Sequence, residues 1–352
     1  MYERRKTKAV KVGSFVIGGD SDVTVQSMLN IPAHDVEGNV EQALKLQKAG
    51  CQIIRVAVPD SEAVKTVYAL KIALDVPVVA DIHFNHKIAL ACVDAGVDKI
   101  RINPGNIGAD ENVKAVAQKC KSHGVPIRIG VNSGSVEKEI LAKYGAPTPM
   151  AMAESAMYHV KLLEKFDFDD IVISIKSSDV HNMIEAYETV ANMCDYPLHL
   201  GVTESGTQRM GLIKSAIGIG SLLARGIGDT IRVSLTADPI QEVYAGFDIL
   251  KSLGMKKSSP TLVSCPTCGR TKIDLISLAN EVEQRLRDVD MPIKVAVMGC
   301  AVNGPGEARE ADIGIAGGDG CGLIFKHGEI LRKVAEDEIV DELFKEIASM
   351  KK

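Results

Sequence analysis

Four residues near the C-terminus have the types and the spacing of a metal site. Cys265 and Cys268 are separated by two residues, and Cys300 follows after thirty-one more. Glu307 lies seven residues beyond Cys300, in a loop rich in glycine and proline. A Cys-x-x-Cys pair ahead of a helix brings two thiolates to one metal, and a cysteine at a strand end can add a third. The spacing therefore predicts a metal centre.

Spacing alone leaves two metals open. Structural zinc usually takes four nitrogen or sulfur ligands, often as two close pairs, and Cys300 has no cysteine or histidine at pair spacing. An iron–sulfur cubane with three cysteines needs a fourth ligand or leaves one iron open to substrate. Glu307 and Cys321 are the candidates for that position. Inert buried cysteines are a third, disfavoured interpretation, because close Cys-x-x-Cys pairs seldom arise from packing.

Composition restricts the class of protein. A chain of 352 residues suits a large barrel followed by a small second domain, and 4% aromatic residues without tryptophan require an aliphatic core. The net charge of −5 disfavours general nucleic-acid binding. The sequence has no apolar run of membrane-spanning length and no apolar N-terminal signal segment. We therefore expect a cytoplasmic protein with reduced cysteines and no membrane or nucleic-acid partner.

Strand-like and helix-like patterns alternate over the first 253 residues. The predicted strands are 23–28, 53–58, 77–84, 98–103, 126–132, 170–176, 197–204 and 229–235. Glycines 50, 96, 124 and 226 fit the ends of the intervening helices. Eight such units predict an α/β fold with a parallel (β/α)8 TIM-type barrel, with a hairpin at 8–17 that could plug its lower end. An open doubly wound sheet is the alternative, but no G-x-G-x-x-G follows the first strand.

The remaining sequence predicts a second, smaller domain. We expect the barrel to span residues 1–253, a linker to span 254–263 and a domain with the predicted metal centre to span 264–352. The predicted elements of the second domain are strands near 261–264, 293–298, 312–316 and 322–326, and helices at 271–289 and 336–350. Within the barrel, the long segment 133–150 after the fifth strand is interpreted as either a lid or surface loop.

Polar residues recur near the carboxyl ends of the predicted strands, most of them two or four positions apart. They are Arg55, Asp81, His83, Arg101, Asn103, Arg128, Asn132, Ser174, Lys176, His199, Thr203, Arg232 and Ser234. Residues two or four positions apart on a strand face the same side of it. The active sites of (β/α)8 barrels lie at the carboxyl ends of the strands. Burying so many cations with few carboxylates requires an external counter-charge, which we expect to be phosphate. A single arginine of the set could instead point outward, but not all of them.

Several longer motifs resemble those of one enzyme family. They are VQSM at 25–28, RINPGNIG at 101–108, GVTESG at 201–206, CPTCGR at 265–270, MGCAVNGPGEA at 298–308 and ADIGIAGG at 311–318. Over its whole length the chain resembles the 4-hydroxy-3-methylbut-2-enyl diphosphate synthases, the cluster-containing reductases of the non-mevalonate isoprenoid pathway. The resemblance implies a barrel like that of dihydropteroate synthase, followed by an α/β domain similar to part of sulfite reductase.

The resemblance also implies roles for individual residues. It implies a [4Fe-4S] cluster held by Cys265, Cys268, Cys300 and Glu307. The implied diphosphate-binding residues are Arg55, Arg101, Arg128, Lys176 and Ser234, with Asn132, Thr203 and Glu204 near the substrate. We add Asp81, His83, Asn103 and Arg232 as substrate-binding residues. The predicted catalytic residues are Glu204, Asn303 and Glu307.

The implied reaction is a two-electron reductive ring opening and dehydroxylation. The substrate is 2-C-methyl-D-erythritol 2,4-cyclodiphosphate, the product is (E)-4-hydroxy-3-methylbut-2-enyl diphosphate, and reduced flavodoxin or ferredoxin donates single electrons. Two other hypotheses are a pterin- or corrinoid-type barrel methyltransferase and a zinc-stabilised scaffold without enzymatic activity.

The linker length predicts a head-to-tail homodimer. In a barrel of this type the eighth helix ends on the face opposite the mouth, so the second domain starts from the wrong side. A fully extended linker of ten or eleven residues spans at most about 35–40 Å. That length is barely enough to pass around the outer helices from the lower face of the barrel to its mouth. A second chain placed head to tail would let each cluster domain cover the other chain's barrel.

Overall fold

The computed structural model describes residues 3–256, 259–301 and 308–350. The chain divides into two compact units, Met1–Met255 and Lys256–Lys352. Across the described ranges, none of the helices combines the length and the apolar character needed to cross a membrane.

The first unit is a hairpin followed by a parallel barrel. The hairpin strands are β1 (Val10–Val12) and β2 (Phe15–Ile17). The barrel strands are β3 (Thr24–Met28), β4 (Ile53–Ala57), β5 (Val78–Asp81), β6 (Lys99–Ile102), β7 (Ile127–Asn132), β8 (Ile171–Lys176), β9 (His199–Leu200) and β10 (Thr230–Ile231). Their order is β8-β7-β6-β5-β4-β3-β10-β9, and a parallel bridge from Ile173 to Leu198 closes the ring. The predicted eight-stranded barrel is confirmed, although the last two strands contain only two residues each.

Helices surround the barrel. They are α1 (Val36–Lys48), α2 (Val64–Ala73), α3 (His86–Asp94), α4 (Pro104–Ile107), α5 (Asp110–His123), α6 (Lys138–Tyr144), α7 (Pro149–Glu164), α8 (Val180–Met193), α9 (Gln208–Ala224) and α10 (Pro239–Ser252). Asp238 is the N-cap of α10, and its side chain accepts a hydrogen bond from the backbone N–H of Ile240. Glycines 50, 96, 124 and 226 adopt positive φ angles at helix ends, as predicted. The segment 133–150 is not one continuous loop, because it contains a 3-10 turn, α6 and the start of α7.

The hairpin plugs the amino-terminal end of the barrel. Val10, Val12 and Ile17 form a buried apolar cluster with residues of three barrel strands. Those partners are Ile53, Val79 and Val172. Aliphatic residues on the outer faces of the strands pack under the helices in a separate, larger core. The barrel is therefore apolar at its lower end and around its outside, which leaves the upper interior for polar side chains.

The second unit is a five-stranded sheet with two helices among the described residues. The strands are β11 (Thr261–Ser264), β12 (Lys294–Met298), β13 (Ile313–Gly318), β14 (Cys321–Lys326) and β15 (Glu329–Ala335), and the helices are α11 (Leu275–Leu286) and α12 (Ile339–Ser349). The strands lie in chain order; the first three are parallel, and β13, β14 and β15 are antiparallel. The sequence prediction missed β15. This edge strand buries none of its side chains, so its residues have no apolar alternation to reveal it.

Candidate active site

A polar cavity of about 230 Å³ lies at the carboxyl ends of the barrel strands. It is lined by Arg55, Asp81, His83, Arg101, Arg128, Asn132, Ser174, Lys176, Thr203, Arg232 and Ser234. All of the predicted substrate-binding residues except Asn103 are in this lining. The lining residues come from strands or strand ends that are distant in sequence, so closure of the barrel is what brings them together.

Asp81 is a shared carboxylate for two of the arginines. It is 1% exposed and accepts hydrogen bonds from Arg55 and, at 3.2 Å, from Nη1 of Arg101. Nε2 of His83 lies 3.6 Å from the same carboxyl group. Burial alone would raise the pKa of Asp81, but the charges of Arg55 and Arg101 outweigh burial and hold that pKa well below its usual range. Asp81 therefore stays ionised and aligns both guanidinium groups.

Arg128 and Lys176 have no such partner. Among the described residues, no carboxylate lies within ion-pair distance of either side chain. Arg128 is 1% exposed, and its Nε and Nη1 have no hydrogen-bond partner among the described residues. Burial, followed by the charges of Arg55 and Arg101, lowers the pKa of Arg128 well below its usual value, and burial and the charge of Arg232 do the same for Lys176. An anionic ligand would supply the missing counter-charge.

Arg232 is held by a glutamate that the sequence prediction did not identify. Glu242, on α10 and 4% exposed, lies 3.4 Å from Nη2 of Arg232. The same carboxylate accepts hydrogen bonds from Oγ of Ser27 at 3.2 Å and from the backbone N–H of Leu235 at 3.0 Å. Glu242 thus fixes both the arginine and the backbone that follows Ser234. Its only sequence signal was an acidic residue in the first turn of a helix, which is common on exposed helices too.

Gly130 makes room for the guanidinium group of Arg101. A Cβ atom at position 130 would lie 2.3 Å from Nε of Arg101, which is closer than van der Waals contact allows. Nη2 of Arg101 also donates a hydrogen bond to the Gly130 carbonyl oxygen at 3.3 Å. A glycine between Arg128 and Asn132 on β7 therefore lets the neighbouring arginine lie flat against the strand.

Asn103 and Glu204 are not among the described residues that line the cavity. Asn103 is buried, and its Oδ1 accepts a hydrogen bond from the N–H of Gly105 at 3.1 Å as the N-cap of α4; its contact with the substrate stays a prediction. Glu204 is exposed on the loop after β9 and has a φ of 49°, a left-handed conformation that is costly for a residue with a Cβ. Asn303 and Glu307 lie outside the described residues.

The three predicted cysteine ligands follow neighbouring parallel strands of the second unit. Cys265 is the first residue after β11. Cys300 is the second residue after β12, with Gly299 between them. The N–H of Gly299 donates a hydrogen bond to Sγ of Cys265 at 3.2 Å. Lys272, four residues after Cys268, donates its N–H to the Gly299 carbonyl at 2.9 Å. Cys265 and Cys300 therefore lie near the carboxyl ends of two adjacent parallel strands, and Cys268 follows Cys265 by three residues.

The surroundings of Cys268 fit a thiolate ligand. Hydrogen bonds from the backbone and side chain of Arg270 lower the pKa of Cys268, and a thiolate is the form that binds metal. By contrast, burial raises the pKa of Cys51, Cys92 and Cys120 to about 12, which keeps them as inert thiols. Within the described ranges, no three His, Cys, Asp or Glu side chains already form a metal-binding group. Three of the four predicted ligands therefore lie within the described ranges, and the fourth, Glu307, lies outside them.

Cys321 is placed as a packing residue. It begins β14 opposite Gly318 of β13, and it is 7% exposed. Its Sγ covers Gly318, where it would lie 2.7 Å from an added Cβ. Cys321 is therefore a small buried side chain that packs within the sheet.

Comparisons with known proteins agree with both units. A family model described as the GcpE TIM-barrel domain matches residues 7–247, and one described as the GcpE protein C-terminal domain matches residues 261–349. The chain is 58% identical over 347 residues to the 4-hydroxy-3-methylbut-2-en-1-yl diphosphate synthase (flavodoxin) of Geobacillus thermodenitrificans, covering 99% of this chain and 93% of that protein. It is 55% identical to the protein of the same name from Bacillus mycoides, covering 99% of this chain and 95% of the relative.

Solved structures resemble the barrel. Dihydropteroate synthase from Xanthomonas albilineans in complex with 7,8-dihydropteroate superposes with a TM-score of 0.50 at 14% identity, covering 70% of this chain and 97% of that one. The Yersinia pestis dihydropteroate synthase gives 0.50 at 15% identity, with 70% and 98% covered. At such identities the likeness concerns the fold alone. The two domain matches and the nearly full-length relatives show that the chain belongs to the 4-hydroxy-3-methylbut-2-en-1-yl diphosphate synthase (flavodoxin) family.

Proposed function

We propose that the chain converts 2-C-methyl-D-erythritol 2,4-cyclodiphosphate into (E)-4-hydroxy-3-methylbut-2-enyl diphosphate by reductive ring opening and dehydroxylation. The observation that carries this proposal is the charge of the cavity. Five cations line it, and among the described residues only two carboxylates, Asp81 and Glu242, form ion pairs with them. The surplus positive charge suits a ligand with two phosphates.

The reaction takes up two electrons and one proton. The ring C–O bond at the fully substituted carbon breaks, the neighbouring hydroxyl group leaves with the proton as water, and a carbon–carbon double bond forms. Ring opening frees a terminal phosphate oxygen, so the product carries one more negative charge than the substrate. Surplus cations that are already buried and oriented stabilise this extra charge as it develops.

We assign the individual side chains as follows. Arg55, Arg101, Arg128, Lys176 and Ser234 bind the diphosphate, and Asp81 with His83 keeps two of the arginines aligned. Asn132, Thr203 and Arg232 bind the remainder of the substrate. Glu204 and Asn303 act at the reacting carbons; the left-handed backbone of Glu204 supports this role, because such conformations concentrate at functional sites.

We propose that Cys265, Cys268, Cys300 and Glu307 hold a [4Fe-4S] cluster. When bound, such a cluster supplies single electrons and a Lewis-acidic iron at the position without a thiolate. Gly299 and Arg270 support the thiolates through the contacts described above, and a weakly held carboxylate at Glu307 can yield to a substrate oxygen. Flavodoxin, which appears in the names of the relatives, is the proposed electron donor, and ferredoxin is the alternative.

Anaerobic purification followed by iron, sulfide and zinc analysis tests this function. We expect about four irons and four acid-labile sulfides per chain, and turnover of the cyclic diphosphate with reduced flavodoxin. Zinc in place of iron would favour the scaffold hypothesis. A cluster-loaded chain that binds neither the cyclic diphosphate nor inorganic pyrophosphate would contradict the assignment of the cavity.

We also propose that the active unit is a head-to-tail homodimer in which each site is shared between chains. Helix α10 ends at Ser252 and strand β11 begins at Thr261, inside the proposed linker of residues 254–263. The eighth helix of such a barrel ends on the face opposite the mouth, and this linker is too short to pass around the shell with slack. Two-fold symmetry would let each cluster domain complete the other chain's cavity.

Subunit mixing tests the shared site. An Arg128→Ala chain and a Cys300→Ser chain are each expected to be inactive alone. After exchange, heterodimers should regain one intact site, built from the barrel of the Cys300→Ser chain and the cluster domain of the Arg128→Ala chain. Heterodimers that form, by mass analysis of differently tagged chains, but recover no activity would show that each site is built within one chain.

A further inference from the structure

Below the cavity, the barrel interior holds a layer of polar side chains without protein partners. Those with buried polar atoms that make no hydrogen bond to any described residue are Thr24, Gln26, Lys99, His199 and Thr230. Each of these side chains is at most 2% exposed. Buried polar atoms almost always find a partner, so a layer of this kind is unusual. The cavity assigned to the diphosphate does not account for it.

The strand register locates this layer. Lys99 precedes Arg101 by two residues on β6, and Thr230 precedes Arg232 by two along the line of β10, so each faces the interior one level below a cavity residue. Thr230 is in register with Thr24 and with His199 on the strands at either side. The layer therefore lies between the arginine cavity and the apolar plug formed with the hairpin.

Lys99 is the exceptional member of the layer. Its side chain is 0% exposed, and within the described ranges Nζ has neither a hydrogen-bond partner nor a carboxylate at ion-pair distance. The charged groups that act on it are Arg128 on β7, Arg55 on β4 and the adjacent Asp98, and Asp98 is already paired with Lys71. Burial first, and then the two arginines, lower the pKa of Lys99 well below its usual value. An isolated buried ammonium surrounded by cations gives up its proton.

The same surroundings change when an anion enters the cavity. A diphosphate would place negative charge beside Arg128 and Arg55, the two cations that now oppose a charge on Lys99. A nearby opposite charge favours the protonated amine. We propose that Lys99 takes up a proton from solvent when a diphosphate occupies the arginine cavity, so that the barrel gains a positive charge as it gains the anion. The identity of the anion rests on the function proposed above.

The chemistry of this step is a simple protonation. The lone pair of the Lys99 amine accepts a solvent proton, and no other bond is made or broken. His199 does not compete for the proton, because burial and the charges of Arg128 and Lys176 lower the pKa of its imidazole well below the usual value. Burial and the charge of Arg232 also lower the pKa of Lys176, so the uptake that belongs to Lys99 is the part that is lost in Lys99→Met. The charged Lys99 would then stabilise the additional negative charge that appears when the cyclic diphosphate opens. Lys99 is thus a charge-balancing residue, placed one layer away from the substrate.

Proton counting by calorimetry tests this role. The full-length, cluster-loaded chain is titrated with inorganic pyrophosphate at about pH 7.5 in two buffers of different protonation enthalpy, which yields the number of protons taken up per ligand. We expect Lys99→Met to take up about one proton fewer than the wild type. Lys99→Arg should show the same loss of uptake while keeping its affinity, because arginine remains charged in the empty barrel. Lys114→Met, an exposed lysine on α5, is the matched control and should leave uptake unchanged.

A second measurement needs no substitution. In wild-type protein labelled with ¹³C at lysine Cε, the resonance assigned to Lys99 should move from the neutral to the charged position when pyrophosphate is added. Equal proton uptake in the wild type and in the Lys99 variants, or no moving resonance, would overturn the proposal while leaving the diphosphate site intact. If pyrophosphate does not bind the wild type at all, the diphosphate assignment fails and the role of Lys99 fails with it.

Discussion

Replacing Arg128 with alanine is expected to weaken binding of the cyclic diphosphate by roughly 30- to 700-fold, or about 2–4 kcal/mol. The reason is that Arg128 is buried without a carboxylate partner in the described part of the chain, so its charge is available to the ligand. Arg101 differs, because it already shares Asp81 with Arg55. Arg101→Ala should therefore cost less than Arg128→Ala.

Direct binding to pyrophosphate and the KM for substrate measure this effect. Arg225→Ala is the control, because Arg225 is about half exposed on the outer shell and pairs with Glu188. The control should bind like the wild type, and all three variants should keep their cluster and thermal stability. Unchanged affinity in a folded, cluster-loaded Arg128→Ala protein would remove the cavity from consideration as the diphosphate site.

Replacing Cys300 with serine is expected to remove the cluster and reduce turnover below detection, whereas Cys321→Ser should retain both. The two cysteines are a closely matched pair, since they are 9% and 7% exposed and each lies at the end of a strand in the same sheet. Burying a serine hydroxyl group should therefore destabilise the two variants by similar amounts. A difference in their cluster content then shows which cysteine is a ligand. A serine is a poor substitute for a thiolate at an iron–sulfur site.

Iron and acid-labile sulfide content, together with turnover, are the measurements for this pair. Glu307→Ala is the companion variant, and it should retain the three thiolates but lose turnover, because a displaceable carboxylate is the proposed fourth ligand. Loss of the cluster in Cys321→Ser with full activity in Glu307→Ala would reverse the assignment of the fourth ligand.

Much of the candidate site could be predicted because strand geometry is regular. Side chains alternate in direction along a strand, and the carboxyl ends of parallel barrel strands meet at one mouth. Arg101 on β6 and Lys176 on β8 could therefore be assigned to one cavity although 74 intervening residues separate them. The cysteines were equally accessible to prediction, since their spacing reflects ligand geometry directly.

Other features depend on which distant side chains happen to meet. Asn103 satisfies the spacing rule for the cavity, and only the structure shows that its Oδ1 also caps α4. Glu242 looks like an ordinary first-turn acid until α10 packs its carboxylate against Arg232. Strand β15 forms by hydrogen bonding to the edge of β14. Its own residues do not show the alternation of buried and exposed side chains that would predict a strand.

The amino-acid sequence by itself determined the eight-unit barrel, the cationic mouth and the three cysteines, because each depends on local periodicity or fixed spacing. Only the tertiary structure decided how those charges are balanced. Asp81 forms ion pairs with two arginines, and Glu242 forms an ion pair with a third. Lys99 lies beneath them without a partner among the described residues. Charge balance in a buried site depends on distances between strands and on the exclusion of water, and neither is encoded at any single position.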